Sequence, residues 1–598
     1  MSEQQGTLHP TPQFARSQWL DLGGPWGFTY DDACRGIDEN WQAREDVYTR
    51  TIQVPFPPEA PASGIGDPAF HPIVWYRRVF QVPDDYAGKR LLLHCGAVDY
   101  RARVWVNGQL VGMHEGGQTP FTMDITPVLR SQDEQVIVIR AEDLPGDLAQ
   151  PRGKQDWQAE PHAIWYQRTT GIWQPVWLEP VSSTSITRVR WTPHVERGLL
   201  DMLISIARQD ESQVARVHVC LSLRGKMLAD DVYMVEGSEV QRQITFEQAN
   251  WSGNKELLWS PAHPNLIDVT ITLLIGEQVV DEVQSYIGLR SVAVERGRFL
   301  LNSSPYYLRL ALEQGYWPQS HLAAPSVEAM RREVELAKEL GFNGIRIHQK
   351  VEDPRFLYWC DRLGLLVWGE MANAYIFSPT SVERLTREWL AVIERDYNHP
   401  CIVAWVPLNE SWGIPNVARD PQQRHYMQAL YHLTKALDPT RPVIANDGWE
   451  QLSSDIYGVH DYAFNGDTLR ARYGTAEALA HTLRQEQPGS HALLLPGNQY
   501  TDEPVMLSEC GGISETPKPG ESWYGYGTVE DREAYLAKYR DLIDAILACG
   551  PLAGFCYTQL TDTLQEKNGL LTEQREPKLD PASVYAITRR DPRGRHNM

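Results

Sequence analysis

Apolar and polar positions change rhythm twice along the 598 residues. At first, short runs of β-branched and aromatic residues alternate with turn residues. Trp75-Tyr76-Arg77-Arg78-Val79-Phe80 and Gln135-Val136-Ile137-Val138-Ile139-Arg140 read as strands. In Val104-Trp105-Val106-Asn107-Gly108-Gln109-Leu110-Val111, Asn-Gly stands between two apolar runs, and that dipeptide tolerates the positive φ of a tight hairpin. Residues 1–180 are expected to form a two-sheet β-sandwich. Residues 181–288 carry shorter strands with period-two alternation, such as Leu203-Ile204-Ser205-Ile206, in the length of an immunoglobulin-like sandwich without a disulfide.

From 289 to 598 the rhythm becomes strand, helix, strand. Ser326 is an N-cap candidate, and Val327, Met330, Val334, Ala337 and Leu340 line one helical face before Gly341. Apolar runs at 307–310, 342–348, 365–369, 402–406, 442–445, 455–459, 505–508 and 553–557 are continuous rather than alternating, as parallel strands covered on both faces require. Eight such runs over about 300 residues predict a (β/α)8 TIM barrel. The runner-up is an open doubly wound sheet, but no Gly-rich fingerprint follows the first strand.

Composition narrows the function. A net charge of −21 without a dense basic run argues against nucleic acid as a partner. No stretch approaches the length of a membrane span, and Met1-Ser2-Glu3-Gln4-Gln5-Gly6 has neither a basic start nor an apolar core. The eight cysteines are scattered without a CxxC, which fits reduced thiols in a cytoplasm. The chain has 20 Trp and 26 Tyr against 13 Phe, a surplus that suits stacking on sugar rings but equally builds cores and interfaces.

Barrel enzymes carry their chemistry at the C-terminal ends of strands. Asn409-Glu410 follows the fourth run and Ser508-Glu509 ends the seventh, so two carboxylates 99 residues apart are expected to face one opening. Glycoside hydrolysis needs such a pair, one to protonate the leaving oxygen and one to meet the oxocarbenium-like centre. Rim salt bridges are the alternative reading. Glu509 resists it, because an unpaired charge buried before Gly511-Gly512 would be costly.

The chain resembles glycoside hydrolase family 2, the β-galactosidases, β-glucuronidases and β-mannosidases. The resemblance rests on Leu22-Gly23-Gly24-Pro25-Trp26-Gly27-Phe28, Val74-Trp75-Tyr76-Arg77-Arg78, Gly96-Ala97-Val98-Asp99-Tyr100, Gly116-Gly117, Pro120-Phe121 and Gly171-Ile172-Trp173-Gln174-Pro175-Val176-Trp177, besides the barrel motifs. It implies a galactose-binding-like jelly roll, an immunoglobulin-like sandwich and a catalytic barrel, with no cofactor. It also implies a retaining double displacement with Glu509 as nucleophile and Glu410 as acid/base, the latter needing a raised pKa. By the same resemblance Asn409 binds the sugar 2-hydroxyl, Arg346 keeps the nucleophile ionised and Tyr462 bonds it, with His460 a polar ligand. His348 is a sugar ligand or a packed imidazole. Tyr557 takes the place of the family's tryptophan platform. Gln314 and Trp317, within Arg309-Leu310-Ala311-Leu312-Glu313-Gln314-Gly315-Tyr316-Trp317-Pro318, stand in for Arg-Gly-x-Asn-x-His.

Departures from the family pattern bear on the sugar. Where β-glucuronidases hold the substrate carboxylate with an Asn and a Lys two residues later, this chain has Glu566-Lys567-Asn568-Gly569, and a glutamate there repels a uronate. Where β-galactosidases place a Glu and a His for magnesium, Glu370 is followed by Met371 and Ala372, so no metal is expected. The expectation is an exo-acting hydrolase of small, imported glycosides or oligosaccharides. A β-galactoside comes first, with β-mannoside, β-glucoside, β-glucuronide or arabinofuranoside as alternatives and a non-catalytic sugar binder as the competing class. A homo-oligomer is compatible with the aromatic surplus.

Overall fold

The computed structural model describes residues 8–131, 134–210, 212–246, 256–498 and 500–592. The reading of Met1 to Gly6 as lacking a leader lies outside them. The N-terminal sandwich packs a six-stranded sheet on a four-stranded one, with Trp26, Phe28, Tyr76, Leu93, Val104, Ile139 and Leu178 between them. The Asn-Gly turn joins the antiparallel strands Arg101–Val106 and Gln109–Glu115, with φ of 52° at Asn107 and 80° at Gly108. Two successive left-handed residues match the right-handed twist of the strands they connect. Next, a three-stranded sheet faces a four-stranded one in a second sandwich. Its strands Leu199–Ala207, Ala215–Leu223 and Ile267–Ile275 bury alternate residues, as period-two patterning demands.

The remaining chain curls a seven-stranded parallel sheet around a core that includes Leu310, Ile345, Trp368, Trp405 and Phe555. Across the sheet the order is Ile402–Val406, Leu366–Glu370, Gly344–Ile347, Leu308–Glu313, Leu552–Thr558, Val505–Gly511 and Tyr457–His460. The run at 442–445, expected as an eighth regular strand, is not one. It bonds the fourth strand at two points, Trp405 N to Pro442 O (3.1 Å) and Ile444 N to Trp405 O (2.9 Å). On its other side, Asp455 accepts from Val443 N (2.9 Å) and the Ser454 hydroxyl from Ala445 N (3.3 Å). Pro442 lacks an N–H and side chains take the places of ladder partners, so the barrel closes there without a regular strand. The helix Val327–Glu339 begins as expected, with Ser326 Oγ accepting from Ala329 N at 3.1 Å. No helix among the described residues is long and apolar enough to cross a membrane.

The first sandwich docks on the barrel mouth. Ala97, Tyr166 and Trp173 pack with Tyr316, Leu322 and Ala323 in one apolar cluster. Beside it, Gly153 donates its N–H to Asn373 O at 3.2 Å, and Tyr375 donates its hydroxyl to Gly153 O. Gly153 sits at φ 61°, and a Cβ there would fall 2.0 Å from Gln349 O, so only glycine allows this approach. Seven tryptophans, Trp26, Trp75, Trp173, Trp259, Trp368, Trp389 and Trp405, are fully buried, so core packing accounts for much of the aromatic surplus.

Candidate active site

Arg346, near the end of Gly344–Ile347, is fully buried and organises the mouth of the barrel. Its Nε donates to Glu370 (2.7 Å), Nη1 to Glu509 (3.0 Å) and Nη2 to Asn409 Oδ1 (2.6 Å), while Asp447 lies 2.8 Å from Nη1. A guanidinium can serve so many acceptors because its donors point outward in one plane. Burial pushes the Asp447 carboxyl up, but the Arg346 charge and the His460 hydrogen bond outweigh it and hold it at about 2. Asn409 is fixed from behind, its N–H donating to Asn373 Oδ1 at 2.9 Å. Its own side-chain NH2 makes no hydrogen bond among the described residues.

Glu410 occupies a left-handed conformation, φ 51°, just past the fourth strand, with its N–H donating to Asp447 O at 2.9 Å. Non-glycine residues in that region carry strain that the surroundings must hold. His460, the last residue of Tyr457–His460, lies with Nδ1 2.6 Å from Glu410 Oε1 and Nε2 3.1 Å from Asp447. Burial disfavours the imidazolium, yet Glu509, Asp447 and Glu410 together raise the His460 pKa to about 10. In turn Glu410, pushed up by burial, is pulled below the usual carboxylate range by the His460 hydrogen bond and charge. The direction is thus opposite to the raised pKa expected of an acid/base. Both shifts favour a proton on the His460 ring.

Glu509 lies inside Val505–Gly511 and is 5% exposed. Oε1 accepts from Arg346 and Oε2 from the Tyr462 hydroxyl at 2.5 Å. The Tyr462 ring stacks on Tyr526 with centroids 3.4 Å apart and planes 3° from parallel. A side-chain oxygen of Glu410, one of Glu509 and a ring nitrogen of His460 all lie within 4.8 Å of one another.

Glu410, Glu509, Asn409, Arg346, His460 and Tyr462 thus converge. His348 stands one layer back, with Nδ1 3.0 Å from Glu370 Oε1, and burial plus the Arg346 and Lys154 charges hold its pKa well below the ordinary value. The ring is packed there, at 4% exposure. Two expectations are corrected. Tyr557 faces the outer helix, not the opening: its hydroxyl lies 3.2 Å from Tyr535 and its ring packs on Tyr539, both on Arg532–Ala548. Side chains alternate along a strand, so the next residue, Thr558, looks inward, 3.4 Å from the Tyr462 hydroxyl. Trp317 is no sugar ligand either, being capped by the Arg575 guanidinium 3.6 Å from its ring. Gln314 donates to Gln559 at 2.8 Å.

Residues that the sequence reading left out complete the mouth. Asp447 stands in Asn446-Asp447-Gly448, just after the fifth run, so the strand-end rule could have found it. Lys154 comes from the N-terminal sandwich, where no barrel rule applies. Beside Glu410, Trp412, Trp165, Tyr375 and Trp157 pack edge to face, except that Trp157 is tilted at 50° to Tyr375, with centroids 4.9–6.0 Å apart.

Comparison with known proteins follows the same division. Residues 20–148 match the family model for glycosyl hydrolases family 2, sugar binding domain. Residues 184–290 match glycosyl hydrolases family 2, and 292–515 match its TIM barrel domain. A β-galactosidase of Thermoanaerobacter pseudethanolicus is 28% identical over 66% of this chain, which spans about half (51%) of that relative. The β-glucuronidase of Canis lupus familiaris is 27% identical, covering 96% of this chain and 91% of its own. The solved β-glucuronidase of Faecalibacterium prausnitzii superposes with a TM-score of 0.76 at 23% identity, over 96% of this chain and 97% of that one. With three family domains matched in order, the fold is a sugar-binding sandwich, an immunoglobulin-like sandwich and a TIM barrel, and the chain belongs to glycoside hydrolase family 2.

Proposed function

We propose that the protein is a retaining exo-glycosidase that removes terminal β-linked neutral hexose, a β-galactoside first, with Glu509 as nucleophile and Glu410 as acid/base. The observation that carries this reading is the carboxylate separation. Side-chain oxygens of the two residues lie within 4.8 Å. Retaining enzymes hold their carboxyl groups about 5–5.5 Å apart, whereas inverting ones leave about 6.5–9.5 Å for a water.

Glu509, held between the Arg346 guanidinium and the Tyr462 hydroxyl, attacks the anomeric carbon as the bond to the leaving oxygen breaks. The proton for that oxygen passes through Glu410. On substrate binding, transfer from His460 Nδ1 to Glu410 gives a carboxylic acid and a neutral imidazole with no net change of charge. Formation of the ester removes the negative charge of Glu509, and Glu410, now a carboxylate, takes a proton from the water that attacks the ester carbon. Two displacements restore the starting configuration. Asn409 binds the sugar 2-hydroxyl through its free NH2.

The preference for a neutral sugar follows from charge. Arg346, His460 and Lys154 face Glu370, Asp447, Glu509, Glu410 and Glu566, so acidic groups outnumber basic ones before any ligand arrives. A uronate would add another anion beside Glu566.

The test is hydrolysis of nitrophenyl β-galactoside, β-glucoside, β-mannoside, β-glucuronide and α-L-arabinofuranoside, with the first-formed anomer read by NMR. Glu509→Gly is expected to abolish turnover. Glu410→Ala is expected to lose it and to recover in part with azide, a small anion that needs no general base. An inverted first product, or unchanged activity in both variants, defeats the double displacement. Glucuronide as the best substrate defeats the neutral-sugar part alone, and no turnover by wild type on any glycoside favours a binder.

A further inference from the structure

Three lysines among the described residues are buried: Lys154, Lys350 and Lys578. Lys350 lies 2.6 Å from Glu352, and Lys578 lies 2.7 Å from Asp562. Lys154 has no such partner. It is 8% exposed, and among the described residues no hydrogen bond or ion pair holds its ammonium. An ammonium at the mouth whose N–H groups no protein acceptor takes is free to bind an oxygen that arrives later.

Its surroundings indicate where that oxygen belongs. Gly153, the preceding residue, is pinned to Asn373, whose side chain holds Asn409, so Lys154 enters the barrel mouth beside the carboxylate pair. The Lys154 Nζ lies 5.7 Å from the centre of the Tyr166 ring, and the Tyr166 hydroxyl donates to Glu566 Oε2. Glu566 is 2% exposed, and its Oε1 makes no hydrogen bond among the described residues. Tyr166 therefore spaces a donor with a free valence from an acceptor with one. The Lys154 charge also lowers the pKa of Glu410, Glu566 and His348.

We propose that Lys154 and Glu566 bind one hydroxyl of the terminal sugar between them, the ammonium donating to its oxygen and the carboxylate accepting its proton. The N-terminal sandwich thereby supplies a specificity-determining contact of the barrel's site. This rests on the glycosidase reading above. A hydroxyl satisfies both partners at once, because it accepts and donates, whereas a carboxylate satisfies the lysine and opposes the glutamate.

The experiment compares wild type, Lys154→Ala, Lys154→Met and Glu566→Gln on the best nitrophenyl glycoside of the panel and on its 3-, 4- and 6-deoxy analogues. For the parent sugar, kcat/KM is expected to fall about 10- to 100-fold in each variant, as loss of a hydrogen bond to a charged group implies. On one deoxy analogue, the same one for both positions, the penalty is expected to shrink to less than about 3-fold, since the lost contact is no longer there to lose. Lys154→Met keeps the apolar stem, so it carries the test if Lys154→Ala fails to fold. An equal penalty on all four substrates shows that Lys154 acts on Glu410 or on domain docking and overturns the proposal. So does no penalty, or a penalty confined to a glucuronide. Failure of the double displacement shows separately, as turnover surviving in Glu509→Gly.

Discussion

Nδ1 of His460 lies 2.6 Å from Oε1 of Glu410, and the Nε2 of the same ring lies 3.1 Å from Asp447. One ring thus joins the proposed acid/base to the layer that holds Arg346. Because the pair shares a proton, the pH behaviour belongs to the pair and not to either residue.

The folded-state pKa of His460 is raised from 6.5 to about 10. A group raised on folding stabilises fully below its unfolded value, and the contribution is lost as pH rises through the folded one. His460→Gln is expected to lower the thermal midpoint at pH 6–7 and to flatten its fall between pH 7 and 10, compared with wild type by scanning fluorimetry. Parallel curves for the two proteins would show that the imidazolium does not stabilise the fold. The variant should also lose about 100-fold or more in kcat, the usual scale for a proton-transfer group.

Tyr462→Phe removes one of the two side-chain donors on Glu509 and leaves the ring stacked on Tyr526. A hydrogen bond to a buried charge contributes about 1.5–3 kcal/mol. The expected outcome is a fall of about 10- to 100-fold in kcat with the thermal midpoint nearly unchanged, read by steady-state kinetics and calorimetry. An unaltered kcat would mean that the Tyr462 hydroxyl contributes nothing to the nucleophile.

Gly153→Ala tests the docking of the two domains. At φ 61°, with the new Cβ 2.0 Å from Gln349 O, the loop must retreat from the barrel. Strain of this kind costs about 1–3 kcal/mol. A lower unfolding midpoint should accompany a loss of activity at least as large as that of Lys154→Ala, since the neighbouring lysine moves with the loop. Full activity would show that the sandwich is not needed at the mouth.

The strands were legible because each is a local pattern: the Asn107-Gly108 turn needs only its own φ angles, and the continuous runs at 365–369 and 402–406 need only burial on both faces. The run at 442–445 misled for the same reason. Its apolar residues are those of a strand and it bonds Trp405 on one side, but on the other its N–H groups go to Asp455 and Ser454 side chains, which no local pattern reveals.

For the site, the sequence by itself determined which carboxylates stand at strand ends, Glu410 and Glu509, and its resemblance to family 2 named Asn409, Arg346, His460 and Tyr462 beside them. Tertiary structure alone decided which way each side chain looks and what it meets there. Side-chain parity turned Tyr557 outward and Thr558 inward, Arg575 covered Trp317, and a loop of the distant sandwich brought Tyr166, with Lys154 over its ring, to Glu566. The physical reason is that a strand's existence is a short-range matter of burial, whereas register, domain docking and the sharing of a proton depend on neighbours far apart in the chain.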